Sequence, residues 1–114
     1  MTRGLKLDVL RAGPQAVVSS NGAIDISTAR ELREKLIELV SDGVRDLVLN
    51  LEGTAYIDAA GVEVLVRAFK LVSAHEGSFS VVCPHEHLLK MFEVSELTEA
   101  LHIYPSIEEA KARR

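Results

Sequence analysis

Tryptophan is absent from this 114-residue sequence and aromatic residues make up only 4% of it. So few flat side chains leave little with which to stack on bases or sugars. Basic charge is also in deficit: 13 Lys and Arg stand against 17 Asp and Glu, a formal net charge of −4. No cationic field is on offer to a phosphate backbone, which excludes direct nucleic-acid binding. Cys83 is the single cysteine, so there is no intrachain disulfide framework and a reducing compartment fits best. No stretch approaches roughly 18 uninterrupted apolar residues, and residues 1–6 hold no signal-peptide core. These absences predict a cytoplasmic chain with no membrane insertion. Internal repeats and low-complexity segments are missing as well.

What is present is core-forming material: 47% of the residues are apolar, enough for one hydrophobic core in one domain over residues 1–114. Leu5, Leu7 and Val9 alternate with polar neighbours, Gly13 and Pro14 supply a turn, and Ala16, Val17 and Val18 follow, which predicts a β-hairpin. Thr28 with Glu31 three places on has the form of a capping box, so a first helix is predicted to start near Thr28. Ala29, Leu32, Leu36, Leu39 and Val40 share its apolar stripe, and Asp42-Gly43 ends it. A strand at 46–51, a helix at about 59–75 and a strand at 78–83 stopped by Pro84 come next. Then follow a helix at about 86–92, a connection at 95–98, a short strand at 102–104 and a terminal helix opened by Ser106 and Glu109. Strands alternating with helices imply parallel pairing. The expected fold is therefore α/β, with a mixed, mostly parallel five-stranded sheet, an N-terminal β-hairpin and about four helices.

The helix at 59–75 is unusual in how little of it is polar. Glu63, Arg67 and Lys70 form one narrow stripe, while Val62, Leu65, Val66, Phe69 and Val72 take the opposite side. Val64, Ala68 and Leu71 widen the apolar arc, and that flank needs cover from a neighbouring helix or a partner; packing within the chain is the simpler reading. The head of the helix carries the chemistry. Asp58 follows a strand end and is a candidate N-cap, accepting from amides near Ala60 and Gly61. Gly61 allows another backbone or a partner to come close. A strand-turn-helix site of this kind attracts anions.

Four segments occur in one order and at one spacing: Gly22-Ala23-Ile24-Asp25, Leu49-Asn50-Leu51-Glu52-Gly53, Ile57-Asp58-Ala59-Ala60-Gly61-Val62 and Ile103-Tyr104-Pro105-Ser106-Ile107-Glu108-Glu109-Ala110. Together, and over nearly the whole chain, they resemble the STAS domain of bacterial anti-sigma factor antagonists. The resemblance implies a STAS-type fold and a non-enzymatic partner switch. Such antagonists bind a serine kinase of the histidine-kinase-like ATPase superfamily that also sequesters a sigma factor, and binding frees the sigma factor. It implies a contact surface at Asp25, Ser27, Thr28, Asp58, Ala59, Ala60, Gly61 and Glu63, with no cofactor, no metal and, at most, weak homodimerisation. The alternative is the soluble STAS subunit of a lipid-transporting ABC system, which docks on an ATPase subunit.

In that family the kinase phosphorylates a serine at the second position after the motif's Asp, which here is Ala60. A phosphate there adds about −1.5 to −2 charges at the helix N-terminus. Repulsion from Asp58 and Asp25 then ejects the partner. Neither Ala59 nor Ala60 has an oxygen nucleophile, and the next serine along the helix is Ser73. A natural variant held in its binding form, a paralogue regulated by something else and an engineered double alanine all fit this pattern. Ala23 and Glu63 depart from the family too, an acidic residue being common at the first and glycine at the second. Glu63 is accounted for as a first-turn carboxylate in an i,i+4 pair with Arg67 worth roughly 0.2–0.5 kcal/mol, without a role as a phosphate mimic.

Three other constellations carry less. His85 and His87 flank Glu86, but two imidazoles from one loop do not make a metal site, and they read as solvated loop histidines. Cys83 has no second cysteine nearby for dithiol exchange and reads as a buried structural thiol. Asp25 and Asp58 have neither a P-loop, a G-x-G-x-x-G run nor a turn nucleophile beside them, so capping and partner contact are their roles rather than acid–base work or Mg²⁺ binding.

Overall fold

A computed structural model describes residues 4–94 and 101–112. The connection expected at 95–98 lies outside the described residues. The alternating N-terminal segment forms β1 (Lys6–Ala12), which turns through Gly13 and Pro14 and pairs antiparallel with β2 (Gln15–Asn21), Ala12 opposite Gln15. Gly13 has φ +60, the left-handed conformation that a turn this tight demands. The chain continues through α1 (Ala29–Ser41), β3 (Asp46–Gly53), α2 (Ala59–Ala74) and β4 (Ser78–Val82). Then come α3 (Glu86–Val94), β5 (Ile103–Tyr104) and α4 (Ile107–Ala112). The five strands form one sheet in chain order, β1 antiparallel to β2 and the other neighbours parallel. That is the mixed sheet with an N-terminal hairpin and four helices which the alternation of elements requires.

Burial follows the two-residue period of the strands. Leu47, Leu49 and Leu51 of β3 are fully buried in the main core with Leu32 and Leu36 of α1, Leu65 and Val72 of α2, and Leu88 and Phe92 of α3. Val48 and Val82 point the other way and pack with Ala110 of α4 and the half-buried Val17, Tyr104 and Ile107. Three helices thus cover one face of the sheet and α4 covers the other. The apolar flank of α2 is met in part from within the chain: Val64 and Ala68 are buried where α1 packs against α2, while Leu71 stays half-buried. At the far end of α1, the Arg45 guanidinium donates to the Val40 and Val44 carbonyls at 2.9 Å each, placing a cation where the helix dipole is negative.

Two capping expectations divide. Ser106 works as predicted, its Oγ accepting from the Glu109 amide at 3.2 Å. Thr28 stands at the N-cap position of α1, but its side chain makes no cap bond and the capping box with Glu31 does not form. Its hydroxyl is turned back instead, donating to the Ala23 carbonyl at 2.8 Å and accepting from the Asp25 amide at 3.0 Å. Cys83 lies one residue past β4 and is fully buried, with its amide donating to the Tyr104 carbonyl at 2.8 Å. Burial pushes its thiol pKa up, partly offset by a hydrogen bond with the His85 backbone, as expected of a structural thiol.

Candidate partner-contact site

Two loops leave the sheet at the ends of the neighbouring parallel strands β2 and β3, and backbone pairing continues between them. The Gly22 amide donates to the Gly53 carbonyl at 3.0 Å, Ile24 to Tyr56 at 3.0 Å, and Asp58 back to Ile24 at 3.1 Å. Ile24 and Ile57 form a parallel bridge, and both side chains are buried. The polar residues on either side of this bridge are therefore delivered to one surface.

On the first loop, Asp25 organises the entry to α1. Its Oδ1 accepts from the Ser27 hydroxyl at 2.7 Å and the Ser27 amide at 2.9 Å. Its carbonyl accepts from the Thr28 and Ala29 amides at 3.0 and 2.7 Å. The Ser27 side chain, then the Ser27 amide, hold the Asp25 carboxyl below its usual range. Thr28, predicted as a contact residue, is buried and serves the loop's own geometry, whereas Ser27 is exposed.

On the second loop, Asp58 is the N-cap of α2, its Oδ1 accepting from the Gly61 amide at 3.0 Å. Its other oxygen, Oδ2, accepts from the Ile26 amide at 3.0 Å. One carboxylate thus caps a helix and ties down the neighbouring loop. Ala59 is exposed, Ala60 is half-buried, and Gly61 is buried against the bridge. A Cβ at Gly61 would lie 2.5 Å from Ile57 Cγ1, 2.8 Å from Ile24 Cγ2 and 2.9 Å from the Ile24 carbonyl oxygen. The close approach foreseen for this glycine is to its own chain.

Glu63 is not where it was placed. The first turn of α2 holds no acidic residue, because Ala59 opens the helix and puts Glu63 in the second turn. Its carboxylate faces Arg67 at 3.5 Å, the i,i+4 pair that its spacing foretold. No hydrogen bond joins the Asp25 and Asp58 carboxylates, and no cluster of three His, Cys, Asp or Glu among the described residues could hold a metal ion.

Two features escaped sequence reasoning. Ile26 and Tyr56 are 83% and 57% exposed, bulky side chains on the same two loops. Only their position, between a strand end and a helix start, hinted at this. The two histidines, read as solvated loop residues, are engaged, and His87 lies in the first turn of α3: the His85 ring donates from Nε2 to the Glu52 carbonyl at 2.9 Å and the His87 ring from Nε2 to the Ala55 carbonyl at 2.6 Å. They hold the segment that delivers Asp58, and their partners, being main-chain oxygens more than thirty residues away, leave no mark in the sequence.

The STAS domain model matches residues 7–110. The anti-sigma-B factor antagonist of Bacillus subtilis is 32% identical over 99 residues, covering 87% of this chain and 90% of that protein. The crystal structure of an anti-sigma factor antagonist from Mycobacterium paratuberculosis superposes with a TM-score of 0.80 at 21% identity, covering 96% of this chain and 92% of that one. The Bacillus cell fate determinant SpoIIAA in its phosphorylated form gives a TM-score of 0.74 at 20% identity, over 95% of this chain and 98% of its own. Among the described residues no helix is long and apolar enough to cross a membrane. Sequence match and fold agree: the chain belongs to the STAS domain family, among its anti-sigma factor antagonists.

Proposed function

We propose that the chain is a non-catalytic, cytoplasmic antagonist that docks on an anti-sigma serine kinase and thereby frees a sigma factor. The observation that carries this reading is the Asp58 carboxylate accepting from both Ile26 and Gly61, which makes one surface of the two loops. Asp25, Ser27, Asp58, Ala59 and Ala60 form its polar and small-residue part over the buried Gly61, and Ile26 and Tyr56 add exposed apolar area of the kind that anchors protein interfaces. Thr28 supports this surface from beneath, and Glu63 lies at its edge.

The off-signal of such a switch is a phosphate. SpoIIAA has a phosphorylated form, and this chain carries Ala60 where its family resemblance places the acceptor serine. Without a hydroxyl at Ala59 or Ala60, the surface stays in the form that binds. The test is a pull-down of the present chain and an Ala60→Ser version with the anti-sigma kinases of its own genome, in ATP, followed by phosphate analysis. Both versions are expected to form the complex, and only the serine version to be phosphorylated and released. Failure of both to bind any such kinase would remove the function while leaving the fold.

A further inference from the structure

α1 and α2 touch without closing over one another. A half-open hollow of about 440 Å³ lies between them, floored by Leu36, Ile37, Val64, Ala68 and Leu71 and rimmed by Arg33, Arg67 and Lys70. Ala68 gives it depth, because a single methyl group stands where longer side chains flank it along α2. Ile37 remains 46% exposed at its edge. The rim is a cationic exception in a chain of net charge −4. Arg67 has Glu63 at 3.5 Å, and the neighbouring Arg30 and Lys35 of α1 are paired with Glu34 and Glu38. Arg33 and Lys70 form no ion pair among the described residues.

We propose that this hollow is a binding site for a single-chain anionic amphiphile, a free medium-chain fatty carboxylate, with its chain on the apolar floor and its head group taken by the rim cations. The volume falls within the roughly 300–1,000 Å³ of small-ligand sites, which pair an apolar lining with a few placed polar groups. The floor from Val64 to Leu71 spans about 10 Å of helix axis. That suits a short alkyl chain, whereas a docked amphipathic helix of about three turns needs a longer seat. A second copy set face to face would oppose cation to cation, which disfavours self-association through this groove. The site lies along the side of α2, and the Glu63–Arg67 pair at 3.5 Å joins its rim to the edge of the partner surface.

The test is titration of the full chain with decanoate below its micelle concentration, followed by amide NMR shifts and calorimetry. Saturable single-site binding is expected, with shifts centred on Arg33, Ile37, Val64, Ala68 and Leu71. Arg33→Glu with Lys70→Glu, both at exposed positions, should weaken it about tenfold. Ala68→Leu should abolish it by filling the hollow, with a urea midpoint to show that the variant is folded; Ile37→Glu at the exposed edge, which sets a like charge against the carboxylate, provides a second block. Decanol binding as tightly as decanoate, an unchanged affinity in the charge-reversed variant, or the absence of saturable shifts would each overturn the proposal. So would an acidic amphipathic peptide, or a second copy detected by sedimentation, occupying the same residues while decanoate does not.

Discussion

The Asp58 carboxylate accepts the Ile26 amide at 3.0 Å across 32 positions of sequence while its other oxygen caps α2 through Gly61. Asp58→Ala removes both acceptors at once. An N-cap loss costs about 1 kcal/mol, with a range of about 0.5–2, and the second bond puts this site in the upper half of that range. Asp58→Asn keeps one acceptor oxygen and should cost less. Urea denaturation gives the sizes, and amide exchange should show Ile26 and Gly61 losing protection together in Asp58→Ala. Loss at Gly61 alone would mean that the bridge between the loops is not formed in solution.

Gly61→Ala sets helix propensity against packing. Alanine gains up to about 1 kcal/mol over glycine inside a helix. Forcing a methyl group between Ile24 and Ile57, however, costs about 1–3 kcal/mol where the neighbours are backbone and buried side chains. The expected net result is a loss of about 1–2 kcal/mol in urea unfolding. A stabilised variant would show that the Ile24–Ile57 bridge has room to give.

Asp25 provides a pH test. Its carboxyl is held below its ordinary value of 3.8, first by the Ser27 hydroxyl and then by the Ser27 amide. As pH falls, the unfolded chain takes up the proton first, so this contribution to stability is complete above the ordinary value and is lost as pH drops through the folded one. Ser27→Ala removes the largest cause and should move the Asp25 midpoint upward in a carboxyl-detected NMR titration. A midpoint that stays in place would deny the hydroxyl its hold.

His85 and His87 anchor the Glu52 and Ala55 carbonyls. Replacing both with alanine should cost about 1–3 kcal/mol, from two net hydrogen bonds of about 0.5–1.5 kcal/mol each. Amide exchange around residues 52–58 should rise more than at the Leu47 and Leu49 amides of β3. Uniform acceleration across the sheet would instead indicate a general loss of stability with no local role for the imidazoles.

What could be read before the structure was mostly periodic or local. The hairpin at Gly13-Pro14, the cap at Asp58 and the stripe of α1 rest on spacing within a few residues, and the parallel run from β3 to β5 on the alternation of strands with helices. Thr28 went astray because its hydroxyl had a choice: the first-turn amide competes with the Ala23 carbonyl and the Asp25 amide, and the tight turn at Asp25 brings the latter pair closer. Glu63 was misplaced although the helix start was read correctly: with Asp58 as cap and Ala59 as the opening residue, Glu63 already lies beyond the first turn, where the free amides of the N-terminus are felt most. Asp58 was legible as a cap but not as a bridge. Its second partner, Ile26, lies on a loop that only the register of β2 against β3 brings alongside.

The continued pairing past the ends of β2 and β3 separates frame from ornament. At Ile26 and Tyr56 the main chain is already committed, one amide to Asp58 and one carbonyl to Ile24, while the side chains stand in water. Substitutions there leave the hydrogen-bonded lattice intact and change only its outward texture. A lineage that duplicated this gene could diverge at those two positions and acquire a new counterpart without having to solve its folding problem again.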